Sequence, residues 1–163
     1  MSNFIRDTLM MLATIGLTAA VSLNYLATPA SSTYEIHGVV SSGMPNSNGF
    51  VVVASGADLT LVRPIPVLIN HDIPHVESIV GRVVELKNMN GAIVAVMEVT
   101  LPAAIADDLE RDYLTGISID VLPYKEMVMG DLRVILVSEI VEISLVTVPA
   151  DLDARITYWE RKK

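Results

Sequence analysis

The sequence predicts a β-rich α+β fold, on three observations. Short apolar runs with period-two alternation, Tyr34 to Ser41 and Ala92 to Val99 among them, recur along the chain. Asn90-Gly91 separates two such runs, and both residues tolerate positive φ, the requirement of a tight hairpin turn. One segment only, Pro102 to Leu114, changes to helical spacing.

Taken in order, the strand signals are Tyr34 to Ser41, Gly49 to Ala54, Val67 to Asn70, Ile79 to Lys87 and Ala92 to Val99. The last two form an antiparallel pair across Asn90-Gly91. Between the first two, Ser42 to Asn48 carries Gly43, Pro45, Asn46 and Asn48, a loop by composition. In the helical segment Ile105, Leu109 and Tyr113 fall four apart, with Asp107, Asp108, Glu110, Arg111 and Asp112 on other faces. Thr100 is the expected N-cap, Pro102 suits the first turn, and Gly116 stands where a left-handed stop belongs. Strands resume with Ile117 to Pro123 and Asp131 to Ser138, separated by a turn at Met129-Gly130-Asp131, and end with Val141 to Val148.

The 163 residues allow one ordinary domain beside a distinct N-terminal segment. An apolar fraction of 52% and a mean hydropathy of +0.51 exclude a disordered chain. Much of that apolarity lies in Leu9 to Ala27, which holds no charge and approaches the ~20 residues needed to cross a bilayer as a helix. Residues 1–33 are therefore expected to form an apolar N-terminal helix and a linker, Thr28 to Thr33. The helix would touch a membrane or pack on protein, and residues 34–163 would form the domain. A removable export signal is a further reading, with Thr28-Pro29-Ala30 only a loose match to a cleavage site. A net charge of −8 argues against nucleic acid as a partner. With no cysteine, thiol catalysis, disulfides and cysteine metal sites are excluded.

Three places carry chemistry. His71 ends the apolar run Val67-Leu68-Ile69-Asn70, and histidine titrates near working pH, as a general base must. Ser118 sits inside the alternation Ile117, Ile119, Val121, and a serine needs a base within hydrogen-bond reach to act as a nucleophile. Glu142 interrupts an apolar β-branched run, and a histidine that exchanges protons works best when an acceptor holds its other ring nitrogen. Period two puts Glu142 and Ser144 on one face, Ile143 and Leu145 on the other, and turns Glu139 away from Glu142. Each residue also has a plainer reading: a surface turn histidine, a half-buried strand serine and a solvent-facing acid on an edge strand. His75 forms His-Asp-x-x-His with His71 and Asp72, a metal-like spacing, but Pro74 breaks the helix that would align the imidazoles, so no metal is expected. His37 reads as an ordinary strand residue.

At these places the chain resembles the prohead, or capsid maturation, serine proteases of tailed bacteriophages, which are related to the assemblins of herpesviruses. The residues that carry the resemblance are Val67-Leu68-Ile69-Asn70-His71-Asp72 followed by Val80-Gly81-Arg82-Val83, then Gly116-Ile117-Ser118-Ile119, then Glu142-Ile143-Ser144-Leu145-Val146-Thr147-Val148-Pro149-Ala150 with Ala154 following. The similarity spans Tyr34 to Ile156. It implies an antiparallel β-barrel, closed or nearly so, with flanking helices. It also implies His71 as general base, Ser118 as nucleophile and Glu142 as the orienting third member, with no cofactor. The implied substrates are phage scaffold protein, the major capsid protein and the protease itself, with self-association a further expectation. The implied location is the immature capsid in the cytoplasm of the infected bacterium; the apolar segment of residues 9–27, unlike that family, makes membrane association the alternative. A catalytically inactive relative with a structural, assembly role is the alternative. Where that family usually has a small residue after the Ser-Ile pair, Asp120 stands here, on the face of Ser118 by strand alternation.

Overall fold

A computed structural model of the protein describes residues 31–73 and 75–163. The predicted apolar helix at Leu9 to Ala27 and the first linker residues lie outside the described residues. Among these, the chain forms β1 (Ser31–Ser41), β2 (Phe50–Val52), β3 (Ala57–Asp58), β4 (Pro66–Ile69), β5 (Ile79–Met89), β6 (Ala92–Pro102), α1 (Ala103–Glu110), β7 (Gly116–Met129), β8 (Leu132–Val146) and β9 (Ile156–Arg161). No described helix is long and apolar enough to cross a membrane.

Period-two alternation builds the core as expected. In β1, Tyr34, Ile36 and Val40 are buried, and in β6 so are Ile93, Ala95, Met97, Val99 and Leu101. Each such large apolar side chain contributes roughly 1.5–3 kcal/mol by leaving water. β1 starts at Ser31, inside the expected linker, because Ser31, Ser32 and Thr33 find partners in Pro102, Leu101 and Thr100 of β6. The Asn90-Gly91 turn joins β5 to β6, with φ of 55° and 92°.

Helix α1 is shorter than its apolar pattern. Thr100 stays in β6, paired with Thr33, so the helix opens after Pro102 without a side-chain cap. The left-handed residue that follows it is Asp112, at φ 59°, rather than Gly116. Leu109 is therefore buried, while Tyr113, beyond the last turn, is 69% exposed. Gly116 is needed for a different reason. A Cβ on it would stand 2.5 Å from the Val146 carbonyl oxygen and 2.9 Å from the Pro149 ring, so only glycine lets β7 begin this close to the end of β8.

β8 organises the site. Instead of two strands it is one continuous ladder through Glu139 and Glu142, with both edges used. β7 runs antiparallel along one edge. β2, β3 and β4 follow one another along the opposite edge in parallel, through Val51↔Val134, Ala57↔Ser138 and Leu68↔Ser144. A strand paired on both sides and covered on both faces reads as a nearly unbroken buried run, as Glu142 to Val146 does.

The expected β-rich fold is present, and the antiparallel barrel, expected closed or nearly so, differs on two points. Three pairings on β8 are parallel, and the strand order β2-β8-β4-β5-β6-β1-β9, with β7 and β3 also on β8, is an open path. At the junction between the β1–β9 end and the start of β7, only an isolated bridge forms among the described residues, Gly116↔Arg155. Hydrogen bonds from Ile117 N–H to the Ala154 carbonyl (3.1 Å) and from Ile156 N–H to the Thr115 carbonyl (2.8 Å) flank it. The preceding segment cannot extend a ladder, because Pro149 has no N–H and Ala154 N–H turns back to the Asp151 carbonyl at 2.9 Å.

Candidate active site

The histidine is placed by a turn. β4 lies against β8, and just past its end Asn70 N–H still reaches the Leu145 carbonyl at 3.0 Å. Asn70 and His71 then take φ of 54° and 56°, with Asp72 N–H closing on the Ile69 carbonyl at 3.2 Å, the φ pattern of a type I′ turn. Left-handed backbone at histidine is uncommon, and such strain is tolerated where surrounding contacts over-determine it. Here the contact is direct: His71 N–H donates to Ser144 Oγ at 3.0 Å.

From that turn the His71 ring reaches down to Glu142, and Nδ1 is hydrogen-bonded to Glu142 Oε1. Glu142 is 3% exposed, and its second oxygen accepts the Ser144 hydroxyl at 2.7 Å. A buried carboxylate needs such partners, since leaving one oxygen unpaired away from water is costly. Ser144, itself wholly buried, thus ties the backbone of His71 to the carboxylate that its ring uses. The bond to Glu142 raises the His71 pKa from its ordinary value. Partial burial opposes this, and the charges of Glu142 and Asp120 add to it.

The serine arrives from the other edge of β8. The register pairs Ser118 with Ser144 and Asp120 with Glu142, so cross-strand pairing puts all four on one face of the β7–β8 ladder. His71, Ser118 and Asp120 line one cavity of about 270 Å³. Among the described residues no hydrogen bond joins Ser118 Oγ to the His71 ring. With Nδ1 on Glu142, Nε2 is the nitrogen left for a proton transfer. Asp120 forms no ion pair among the described residues, and its Oδ1 accepts the neighbouring Val121 N–H at 2.9 Å.

The cavity's far wall is the loop between β1 and β2. That loop, flexible by composition, is pinned to the segment after β8: Ser42 N–H and Oγ donate to Asp151 at 2.6 and 2.9 Å, and Ser47 N–H reaches the Ala150 carbonyl at 2.9 Å. Positive φ at Gly43 and Gly49, 75° and 76°, turns the chain in and out of it.

The remaining sequence candidates go elsewhere. His75 Nδ1 bonds Asp72 Oδ1 at 2.6 Å, on the outside of the turn. His37 Nε2 bonds Glu35 Oε1 at 2.8 Å, and its ring meets Tyr158 edge to face. Glu139 points away from Glu142, to Arg63 and to the Tyr124 hydroxyl at 2.5 Å. Sequence reasoning missed the part played by Ser144. Period two already put it beside Glu142, but its bond to His71 depends on the parallel pairing of β4 with β8.

No protein-family profile matches the sequence, and curated proteins yield no relative. Among solved structures, the fold is similar to that of the KSHV (herpesvirus) protease, solved in complex with a hexapeptide phosphonate inhibitor. The TM-score is 0.54 at 16% identity over 80% of this chain. The similarity spans 66% of that protease's length. The likeness is one of fold.

Proposed function

We propose that the chain is a serine endopeptidase in which Ser118 is the nucleophile, His71 the general base and Glu142 the group that orients it. The observation that carries this reading is the His71–Glu142 pair facing a cavity that Ser118 also lines. A protease-like fold supports it. In the first step Ser118 Oγ adds to the scissile carbonyl as its proton passes to His71 Nε2. Glu142 holds Nδ1–H and offsets the positive charge that the imidazole gains. That proton then goes to the leaving amine as the C–N bond breaks, leaving an ester on Ser118. Water, deprotonated by His71, hydrolyses the ester and restores the hydroxyl.

The resemblance at His71, Ser118 and Glu142 extends the proposal to capsid maturation. On this reading the substrates are phage scaffold protein, the major capsid protein and the protease itself, cleaved inside the immature capsid in the bacterial cytoplasm. Co-expression of the full chain with scaffold and capsid protein tests it. Ser118→Ala abolishes their cleavage and self-cleavage while the chain stays folded, and retained cleavage rejects the assignment.

One observation favours a second reading, an inactive relative with an assembly role: Ser118 and His71 share the cavity without a direct hydrogen bond. The same experiment separates the two, because an inactive relative supports assembly equally well with alanine at position 118.

A further inference from the structure

We infer that Asp120 makes this site select peptides with a lysine or arginine side chain beside the scissile bond; the inference rests on the endopeptidase reading of the same cavity. Asp120 follows Ser118 by two residues on β7, so its carboxylate lies on the nucleophile's face and in the same cavity. A side chain flanking the bond attacked by Ser118 is therefore within reach of Asp120.

The cavity's charges point the same way. It is lined by two carboxylates, Asp120 and Asp151, and by no lysine or arginine. Asp151 is already occupied by the Ser42 N–H and hydroxyl and by Asp153 N–H at 3.1 Å. Asp120 has the Val121 N–H alone, at one oxygen, and no cationic partner among the described residues. The residue lines the cavity in which, on the endopeptidase reading, the peptide binds. Met44, Phe50 and Ile73, in the same lining, supply apolar surface for the aliphatic stem of a long basic side chain while the carboxylate takes the head. The chain's net charge of −8 favours approach of a cationic segment as well.

Two hexapeptide pools test this, blocked at both ends, randomised over small and apolar residues, and differing only in carrying lysine or norleucine at each position in turn. The full chain is assayed for cleavage of each pool by mass spectrometry, and Ser118→Ala for equilibrium binding without turnover. The inference predicts cleavage and binding biased to the lysine pool, with the lysine-to-norleucine ratio falling roughly fivefold in Asp120→Asn, in line with the ~1 kcal/mol of an accessible ion pair. In Asp120→Lys the preference disappears. The ratio matters because removing the Asp120 charge also alters His71, which affects both pools alike. Cleavage without lysine bias, a bias that survives Asp120→Asn, or no binding of either pool each overturns the inference. Asp120-dependent binding of the lysine pool with no cleavage by the wild-type chain upholds the cation site and rejects the endopeptidase reading.

Discussion

Ser144 donates its hydroxyl to the second oxygen of Glu142 at 2.7 Å, on the buried face of β8. The same oxygen of Ser144 accepts the His71 N–H, so one side chain sets both the carboxylate and the turn that carries the imidazole. Replacing it by alanine leaves the buried Glu142 carboxylate and the His71 N–H each short of a partner. Ser144→Ala is expected to cost about 1–3 kcal/mol of stability, the usual penalty for an orphaned buried group, and to lower peptidase kcat with it. Chemical denaturation read alongside the cleavage rate checks both; an unchanged midpoint would show that Ser144 does not support the pair.

The Glu142 carboxylate sets the pH dependence. Because its hydrogen bond raises the His71 pKa, folding favours the protonated imidazole. That contribution to stability is fully present below the unfolded pKa of about 6.5 and is lost as pH rises through the raised folded value. Catalysis needs neutral His71, so kcat/KM rises across the raised pKa. In Glu142→Gln the His71 pKa falls and the acid limb moves to lower pH, with a reduced plateau. An NMR titration of the His71 ring in both proteins reads the shift, and identical curves would remove Glu142 from its role.

The turn residue Asn70 sits at φ 54°, where most side chains are strained. Asn70→Val should cost about 1–2 kcal/mol, the penalty of left-handed backbone for a bulky residue, whereas Asn70→Gly should be nearly neutral. Thermal unfolding of the two variants decides this. Equal melting temperatures would mean that the turn relaxes without strain.

Gly116 gives a local test of how β7 is seated. A Cβ there meets the Val146 carbonyl oxygen and the Pro149 ring, so Gly116→Ala must push the start of β7 away from β8, two residues before Ser118. Overpacking of this kind costs about 1–3 kcal/mol. The expected result is a lower melting temperature and a loss of activity at temperatures where the variant remains folded. Full activity with wild-type stability would place Ser118 independently of this contact.

What could be read from sequence was what local pattern encodes. Asn90-Gly91 announced its hairpin, the alternation of β1 and β6 their buried faces, and the period of β8 the opposite directions of Glu139 and Glu142. What could not be read was set by partners distant in the chain. Glu139 and Ile140 fell between two expected strands, yet β8 continues because β7 and the short parallel strands satisfy it on both edges. Pro123 looked like a strand end, but β7 passes through it with register shifts on either side, since its outer edge needs no N–H donor there. β9 was hidden because the strand it pairs with, β1, lies more than a hundred residues earlier. Ser144 shows the same limit at the site: its face was legible, its bond to His71 was not.

Active-site labelling with a fluorophosphonate, which traps an activated serine hydroxyl as a covalent phosphonyl ester, tests the central claim most directly when the modified residue is mapped by mass spectrometry. The account predicts one adduct, on Ser118, lost in His71→Ala and slowed in Glu142→Gln. No adduct on Ser118, or one that forms as fast without the His71 imidazole, would contradict it.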